Sequence, residues 1–380
     1  MALPAKPEIG TPHGHNARTV SVVIPVFNVE DFIRECLDSL LAQSHADFEA
    51  ILVDDGSTDS SGAICDEYSS KDSRIIVMHT GNEGIGAARN LGLEVASGTY
   101  CFFLDPDDVI GPSTFADMVD LIEAQHADIV LGASQNFRGS FASAHKEYGP
   151  RSLGEATTEI HSSSSAILER LVFQKKDFVP LRDKSKPEPL HFEFFSSLYR
   201  LEMIRANSIA FLPLTYGEDT YVLLNYLLLS EKAVATDLIT YWHRRNPKST
   251  TFRYHPEYLL ETHRYYAFYS QLFVRLAPPH FARALAALDG QFFMRCVSAV
   301  ERELFFSPDS RTLSQIKETF REIRNDAKFR GLLRPGMIRL IASRQSRILI
   351  TLLYLKQYWA LIMAVALRRH LRRNGHRSPR

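Results

Sequence analysis

Cysteine is scarce in this chain of 380 residues, which contains four thiols. No two of them stand at the spacing of a zinc site or a redox pair, so the sequence carries no cysteine-based metal or redox motif. Three lie in apolar or helical surroundings, which is typical of buried thiols in a reduced compartment. The four positions are Cys36, Cys65, Cys101 and Cys296.

Long apolar runs are also absent before the last forty residues, so we expect no membrane-spanning helix there. The first eighteen residues are rich in Pro, Gly, His and Ala without an apolar run. They are predicted to form a disordered arm and not a signal peptide. The remaining composition, 45% hydrophobic and 23% charged, allows a sizeable core. The length suggests two domains, or one large domain with an appendage.

Acidic residues are missing from the C-terminal end. Between Lys328 and Arg380 there are 13 Lys and Arg residues and no Asp or Glu. The whole chain has 44 residues of each sign, so everything before Lys328 carries an excess of 13 acidic residues. This asymmetry indicates that the basic end meets something anionic.

The basic end contains twenty mostly apolar residues, Ile348 to Leu367, with Lys356 and Gln357 at their centre. A central lysine costs about 2.5–3.5 kcal/mol on the membrane-insertion scale, so a spanning helix is disfavoured. The pattern predicts a helix lying on an anionic membrane surface. The alternative is a core helix packed on the catalytic domain, followed by a frayed basic tail. The flanking arginines are Arg344, Arg347, Arg368, Arg369, Arg372 and Arg373.

Strand and helix patterns alternate in the first third of the chain, which favours a parallel sheet with helices on its faces. Residues 135–190 are less regular and are predicted to be a variable insertion. From Glu257 onward the periodicity indicates helices only. The predicted strands are Thr19–Val26, Phe48–Val53, Arg74–Met78, Tyr100–Leu104 and Asp128–Leu131, and the first predicted helices are Val29–Gln43 and Gly86–Ser97.

Polar clusters follow the predicted strands. Ligands of such sheets bind outside the carboxyl ends of the strands, so these clusters predict one site. Any single cluster could instead be ordinary turn chemistry. The clusters are Asn28, then Asp54 with Asp55, then Asn82, then Asp105 with Asp107 and Asp108.

Two carboxylate pairs suit transfer of a sugar from a nucleotide. Asp105 and Asp107, on either side of Pro106, could bind the divalent cation that neutralises a diphosphate, although Asp-Pro-Asp-Asp is also a common turn sequence. Glu218 and Asp219 open a predicted amphipathic helix, where one carboxylate could act as general base. Their alternative role is to cap that helix and interact with its dipole.

The stretches SVVIPVFNVEDFIRECLDSLLAQ, ILVDDGSTDSS and NEGIGAARNLGLEVASGTYCFFLDPDD resemble family 2 glycosyltransferases over residues 19–135. The resemblance continues more loosely through SSLYR (196–200), YGED (216–219) and YWHRRNPKST (241–250). It implies the α/β GT-A nucleotide-diphospho-sugar transferase fold, a Rossmann-like, mainly parallel sheet flanked by helices, followed by an all-helical C-terminal region. The expected domains are a disordered arm (1–18), a catalytic domain (19–254) with halves 19–135 and 190–254, and a helical region (255–380).

This resemblance implies an enzyme that moves a hexosyl or N-acetylhexosaminyl group from a nucleotide-diphospho-sugar, with uridine diphosphate the expected nucleotide. It further implies a Mn²⁺ or Mg²⁺ cofactor, inversion at the sugar, and a saccharide or lipid-linked saccharide acceptor in cell-surface polysaccharide assembly. We expect a cytoplasmic protein that is peripheral at the inner face of the plasma membrane. We expect no nucleic-acid partner. The alternative is a non-catalytic family member that binds nucleotide sugars or acts as a scaffold.

The resemblance also implies roles for individual residues. Asp219 matches the catalytic base, and Glu218 beside it would shape the acceptor site. Asp107 and Asp105 match the metal-binding motif, and His243 could add a metal contact, although a histidine in an aromatic strand is more often structural. The implied nucleotide-binding residues are Pro25, Phe27, Asn28, Asp54, Asp55, Gly84, Arg89, Asp105, Arg244 and Ser249.

Two departures and one rival motif qualify the resemblance. Pro106 stands where the family has a small residue, and Ser197 stands where many relatives carry lysine. Gly81, Gly84 and Gly86 have the spacing G-x-x-G-x-G after the third strand, so a dinucleotide-binding dehydrogenase is rejected. A phosphoacceptor domain is disfavoured by the second acidic cluster and the length of the chain.

Overall fold

The computed structural model describes residues 18–139, 156–162, 193–245, 254–277, 280–308, 310–341 and 343–375. These residues form two compact units. Unit 1 contains residues 18–139, 156–162, 193–213 and 217–245, and unit 2 contains residues 214–216 and 254–375. Each unit has a hydrophobic core of its own.

Unit 1 is built on an eight-stranded sheet with the order β3-β2-β1-β4-β7-β5-β8-β6. The neighbours β3, β2, β1 and β4 run parallel, as do β5 and β8, while β7 and β6 pair antiparallel with their neighbours. The strands are β1 (Val20–Val26), β2 (Phe48–Asp54), β3 (Ile75–His79), β4 (Tyr100–Phe103), β5 (Ile129–Phe137), β6 (Thr158–His161), β7 (Ser197–Arg200) and β8 (Ala233–Arg244).

Helices flank this sheet, so the predicted Rossmann-like, mainly parallel α/β fold is confirmed. All seven residues of β1 are buried, as expected for a β-branched strand at the centre of a parallel sheet. The helix predicted from Val29 begins later, at Ile33. The helices of unit 1 are α1 (Ile33–Leu41), α2 (Ser61–Ser69), α3 (Ile85–Val95), α4 (Thr114–Ala124), α5 (Leu201–Ala206) and α6 (Glu218–Leu229).

Helix α3 lies very close to β1 at a single glycine. A Cβ atom on Gly92 would stand 2.4 Å from Cγ1 of Val23, closer than side chains can approach. Because α3 also carries Arg89, the absence of a side chain at Gly92 sets how near this arginine comes to the sheet edge.

Unit 2 consists of helices around a core that includes Phe292, Cys296, Phe320 and Phe329. This confirms the predicted all-helical C-terminal region. Its helices are α7 (Tyr258–Leu276), α8 (Phe281–Phe306), α9 (Leu313–Asn325), α10 (Ala327–Leu332), α11 (Pro335–Leu340), α12 (Arg344–Tyr354) and α13 (Tyr358–Gly375).

The single helix predicted across Ile348–Leu367 is wrong, because the chain turns between α12 and α13. Lys356 has a φ of 56°, and the backbone N–H groups of Lys356 and Gln357 donate to the carbonyls of Leu353 and Leu352. These two bonds satisfy the last carbonyls of α12 and end it. Within the ranges described, no helix is both long enough and apolar enough to cross a membrane.

Candidate functional site

The parallel strands β1, β2 and β4 bring their carboxyl ends, and the polar residues that follow them, to one edge of the sheet. Asp54 ends β2, Asn28 comes two residues after β1, and Asp105 comes two residues after β4. Three of the polar clusters predicted from the sequence therefore meet at this edge. In such sheets this edge is where ligands bind.

Asn28 joins the turn after β1 to the turn after β2. Its φ is 52°, and its Oδ1 accepts from the backbone N–H groups of Thr58 (2.8 Å) and Asp59 (3.3 Å). Pro25 is buried in β1, opposite Val53. The ring of Phe27 is exposed at the surface of the same turn. Among these three residues, which the resemblance implies bind the nucleotide, Phe27 therefore offers an open apolar face.

Asp54 and Asp55 are both buried, and each carboxylate holds a loop. Asp54 accepts from the backbone N–H of Ser57 (3.1 Å) and contacts Nδ1 of His79 (2.8 Å). The Asp54 carboxylate raises the pKa of His79.

Asp55 organises the backbone between β3 and α3. Its Oδ1 accepts from the hydroxyl of Thr80 (2.9 Å) and the N–H of Glu83 (2.7 Å), and its Oδ2 accepts from the N–H of Gly84 (2.7 Å). Gly84 has a φ of 97°, a conformation that favours glycine. Asp55 thus fixes the loop that carries Gly84 to the sheet edge.

Arg89 is fully buried and joins the two carboxylate pairs. One terminal nitrogen donates to Oδ1 of Asp105 at 2.8 Å, and the other donates to Oε1 of Glu218 at 2.9 Å. The rings of Phe195 and Phe211 lie 5.1 and 5.3 Å from the guanidinium carbon. The resemblance implied a contact between Arg89 and the nucleotide. Its burial and partners instead favour a role in positioning the carboxylates.

Glu218 and Asp219 begin α6 behind Gly217, which has a φ of 90°. Glu218 is buried, and burial, reinforced by the charge of Asp219, raises its pKa to about 7 although Arg89 opposes the shift. Asp219 is partly exposed, and its Oδ1 accepts from the N–H of Thr220 at 2.6 Å. The open carboxylate of the pair is therefore Asp219.

The Asp105–Asp107 segment is held from several sides. The N–H of Asp105 donates to the hydroxyl of Tyr241 at 2.9 Å, and the Asp107 carbonyl accepts from Nε of Arg244 at 2.9 Å. The side chains of Asp105 and Asp107 are partly exposed, whereas Asp108 is buried. The two carboxylates of the predicted metal motif are thus the accessible ones.

The possible role of His243 as a metal ligand is not supported. Its Nδ1 lies 2.9 Å from Oδ2 of Asp108, and its Nε2 lies 2.5 Å from Oε2 of Glu193. Burial lowers its pKa, but hydrogen bonds to the two carboxylates outweigh this and raise the pKa to about 10. Both ring nitrogens of His243 therefore lie against carboxylates. The structural alternative for His243 agrees with these contacts.

Arg244 ends β8 and is held by contacts within the protein, whereas the resemblance implied a contact with the nucleotide. Its backbone N–H donates to Asp108 (2.7 Å), one terminal nitrogen donates to the carbonyl of Gly139 (2.7 Å), and the other contacts Glu35. The guanidinium also lies 4.6 Å from the ring centroid of Phe137. These contacts fix the turn after β4. Ser249 lies outside the described residues.

Several residues of the site were not predicted. Their partners lie far away in the sequence, so no local motif marks them, apart from the aromatic run HFEFF (191–195) that contains Phe195. They are Glu35, His79, Glu193, Phe195, Phe211 and Tyr241. Across the described ranges, no group of three His, Cys, Asp or Glu side chains is placed to hold a metal ion.

Comparison with known proteins shows that residues 21–203 match the model of glycosyl transferase family 2. Over 234 residues, 61% of this chain, it is 34% identical to a protein named uncharacterized glycosyltransferase EpsJ from Bacillus subtilis, of which 62% is covered. It is 33% identical over 227 residues to glycosyltransferase GlyA from Streptococcus pneumoniae, covering 59% of this chain and 30% of that protein. The chain thus spans less than two thirds of these relatives.

Among solved structures, the fold is similar to that of residues 1–349 of S. aureus TarS in complex with UDP-GlcNAc. The TM-score is 0.59 at 20% sequence identity, and the match covers 93% of this chain and 92% of that one. At this identity the likeness concerns the fold alone, and it agrees with the predicted GT-A-type architecture.

Proposed function

We propose that this chain, whose residues 21–203 belong to glycosyl transferase family 2, moves a sugar from a nucleotide-diphospho-sugar onto an acceptor hydroxyl. The observation that carries the proposal is the bridge from Asp105 through Arg89 to Glu218. It joins the carboxylates that follow β4 to the carboxylates that open α6. On this proposal the bridge supports a donor-binding carboxylate and, through Glu218, the start of the helix that carries the proton acceptor, and both lie in unit 1.

We assign the binding of the sugar nucleotide to the sheet edge formed by Asn28, Asp54, Asp55 and Gly84. The exposed ring of Phe27 would lie against the nucleobase. We propose uridine diphosphate as the nucleotide, supported by the UDP-GlcNAc bound in the similar TarS structure. A hexosyl or N-acetylhexosaminyl group is the proposed sugar. The proposed acceptor is a saccharide or lipid-linked saccharide in cell-surface polysaccharide assembly.

A divalent cation, Mn²⁺ or Mg²⁺, fits the chemistry of Asp105 and Asp107. Both offer carboxylate oxygens, the ligands hard cations prefer, and both are partly exposed. One oxygen of Asp105 accepts from Arg89, so its other oxygen, together with the Asp107 carboxylate, would hold the cation. When bound, the cation would neutralise the charge of the leaving diphosphate.

Asp219 is the proposed general base. The acceptor oxygen forms a bond to the anomeric carbon, Asp219 takes the hydroxyl proton, and the nucleoside diphosphate leaves with the electrons of the broken bond. Glu218, paired with Arg89, holds the start of α6 in place. A single displacement inverts the anomeric carbon, so an α-linked donor gives a β-linked product.

A panel of sugar nucleotides, assayed for donor hydrolysis and transfer with Mn²⁺, tests this proposal. We expect turnover with one or a few donors, loss of turnover with a chelator, and a β-linked product by the anomeric coupling constant. An α-linked product would refute the single displacement, and turnover without any divalent ion would refute the metal assignment. Tight nucleotide binding without turnover on any donor would favour the non-catalytic alternative.

A further inference from the structure

Helix α13 presents large apolar side chains to solvent along one face. Trp359, Met363 and Leu367 are 69%, 61% and 58% exposed, and their four-residue spacing puts them on the same side of the helix. Ile348 on α12, which contacts α13, and Leu355, the residue that follows α12, are also more than half exposed. We call these five residues the apolar face. A row of large exposed apolar side chains marks an interaction surface, whereas scattered single ones do not.

The apolar face is not needed by the core of unit 2. The opposite sides of the same helices supply Leu349, Leu353, Leu361 and Val365 to that core, where they are buried. The turn at Lys356 ends α12 and allows α13 to start separately. Both helices are therefore anchored through one side and present the other to solvent.

The charge around the apolar face indicates which kind of partner binds there. Arg344 and Arg347 are exposed next to Ile348 on α12, and Lys356 is exposed in the turn. No Asp or Glu occurs anywhere from Lys328 to Arg380, which contains 13 basic residues. A binding partner that is both apolar and negatively charged would match the exposed apolar side chains and the basic residues around them. An anionic lipid surface is such a partner. Nucleic acid would satisfy the charge but leave Trp359, Met363 and Leu367 uncovered.

We propose that the apolar face inserts into the interfacial layer of an anionic membrane, with Arg344, Arg347 and Lys356 against lipid headgroups. Tryptophan at this depth has its ring in the apolar layer and its N–H among polar groups. The proposal concerns unit 2 and stands independently of the sugar-transfer reaction.

Sedimentation of the full chain with vesicles tests the proposal without any sugar nucleotide present. We expect binding to vesicles containing phosphatidylglycerol, little binding to pure phosphatidylcholine vesicles, and weakening by high salt, which screens exposed charges. The combined change Trp359→Ser, Met363→Ser and Leu367→Ser should weaken binding at least about tenfold. The matched control Leu260→Ser with Val274→Ser, two exposed apolar residues of α7, should leave binding unchanged.

Replacing two headgroup contacts, Arg344→Gln with Arg347→Gln, should weaken binding about 25-fold, since each basic residue near an anionic surface contributes about fivefold. Equal binding by the wild type, the serine variant and the glutamine variant would overturn the proposal. Loss of binding in the α7 control as large as in the serine variant would also overturn it.

The two tryptophans give a direct readout. Trp242 is 2% exposed whereas Trp359 is largely exposed, so binding to vesicles should shift the emission of Trp359. With brominated lipid we expect quenching in the wild type and none in Trp359→Phe at saturating vesicle concentration. Absence of quenching in the wild type would overturn the proposal. So would a stable dimer by light scattering that the serine variant abolishes, because a second copy would then cover the face.

Discussion

At the scale of single residues, Glu218 and Asp219 are neighbours in sequence whose carboxylates have different surroundings. Glu218 is buried against Arg89, and Asp219 is partly exposed. A general base must reach the acceptor, whereas a buried, paired carboxylate can position the helix that carries it. Their different burial therefore supports separate roles for the two residues.

Replacing Asp219 by Asn tests the base assignment. We expect turnover to fall by about 10²–10⁴-fold, because the amide cannot take the hydroxyl proton. Nucleotide affinity should stay near wild type, since the loss concerns the transition state. Initial rates with the true acceptor, together with calorimetric titration of the nucleotide, measure both quantities. Unchanged turnover would mean that another group is the base.

Glu218 should make folding stability depend on pH. Its pKa is raised by burial from 4.5 to about 7, so the folded chain retains a proton that the unfolded chain releases earlier. The free energy of unfolding should therefore fall as pH rises from about 4.5 to about 7 and level off above, by about 3 kcal/mol. Denaturant titrations across this range measure the slope.

Glu218→Gln should flatten this slope, because the amide does not titrate. The matched control Glu202→Gln changes an exposed glutamate of unit 1 and should leave the slope as in the wild type. An unchanged slope in Glu218→Gln would contradict the assigned pKa shift.

At the scale of elements, the contact between α3 and β1 depends on the lack of a side chain at Gly92. Alanine is normally better than glycine in a helix by about 1 kcal/mol. Here its Cβ would meet Cγ1 of Val23 at 2.4 Å, and overpacking of this kind costs about 1–3 kcal/mol. We expect Gly92→Ala to lower the free energy of unfolding and to reduce turnover by displacing Arg89.

The second change Val23→Ala should restore part of the turnover of Gly92→Ala, since it removes the methyl groups that the new Cβ meets. Val23→Ala alone serves as the control and should only destabilise. If the double variant is simply the sum of the two single variants in stability and activity, the steric explanation fails.

The strands and the turn that carries Asp105 and Asp107 could be predicted because each depends on a local pattern: apolar periodicity and a polar strand end lie within a few residues. The partners of His243 could not, since Asp108 is 135 positions away and Glu193 is 50. The break at Lys356 was also missed, because a positive φ at a non-glycine residue leaves no clear sequence signal. The role of each proposed site residue stays a prediction.

At the scale of the whole molecule, the four thiols report on both units. Cys36, Cys65 and Cys101 are buried in unit 1 and Cys296 in unit 2, and burial raises the pKa of each, that of Cys65 to about 12. Since the thiolate is the reactive form, we expect the native chain to resist a thiol reagent. Labelling followed by mass spectrometry should show all four modified in denaturant, and rapid labelling without denaturant would contradict the burial.

The bridge through Arg89 has a consequence for engineering new specificity. Because one guanidinium binds both Asp105 and Glu218, substitutions meant to change the proposed acceptor site should also alter affinity at the proposed donor site. Variants in which only one of the positions 89, 105 and 218 is changed are therefore expected to be mostly inactive. Varying these three positions together allows a change at one to be compensated at another, so active variants are expected to carry combined substitutions.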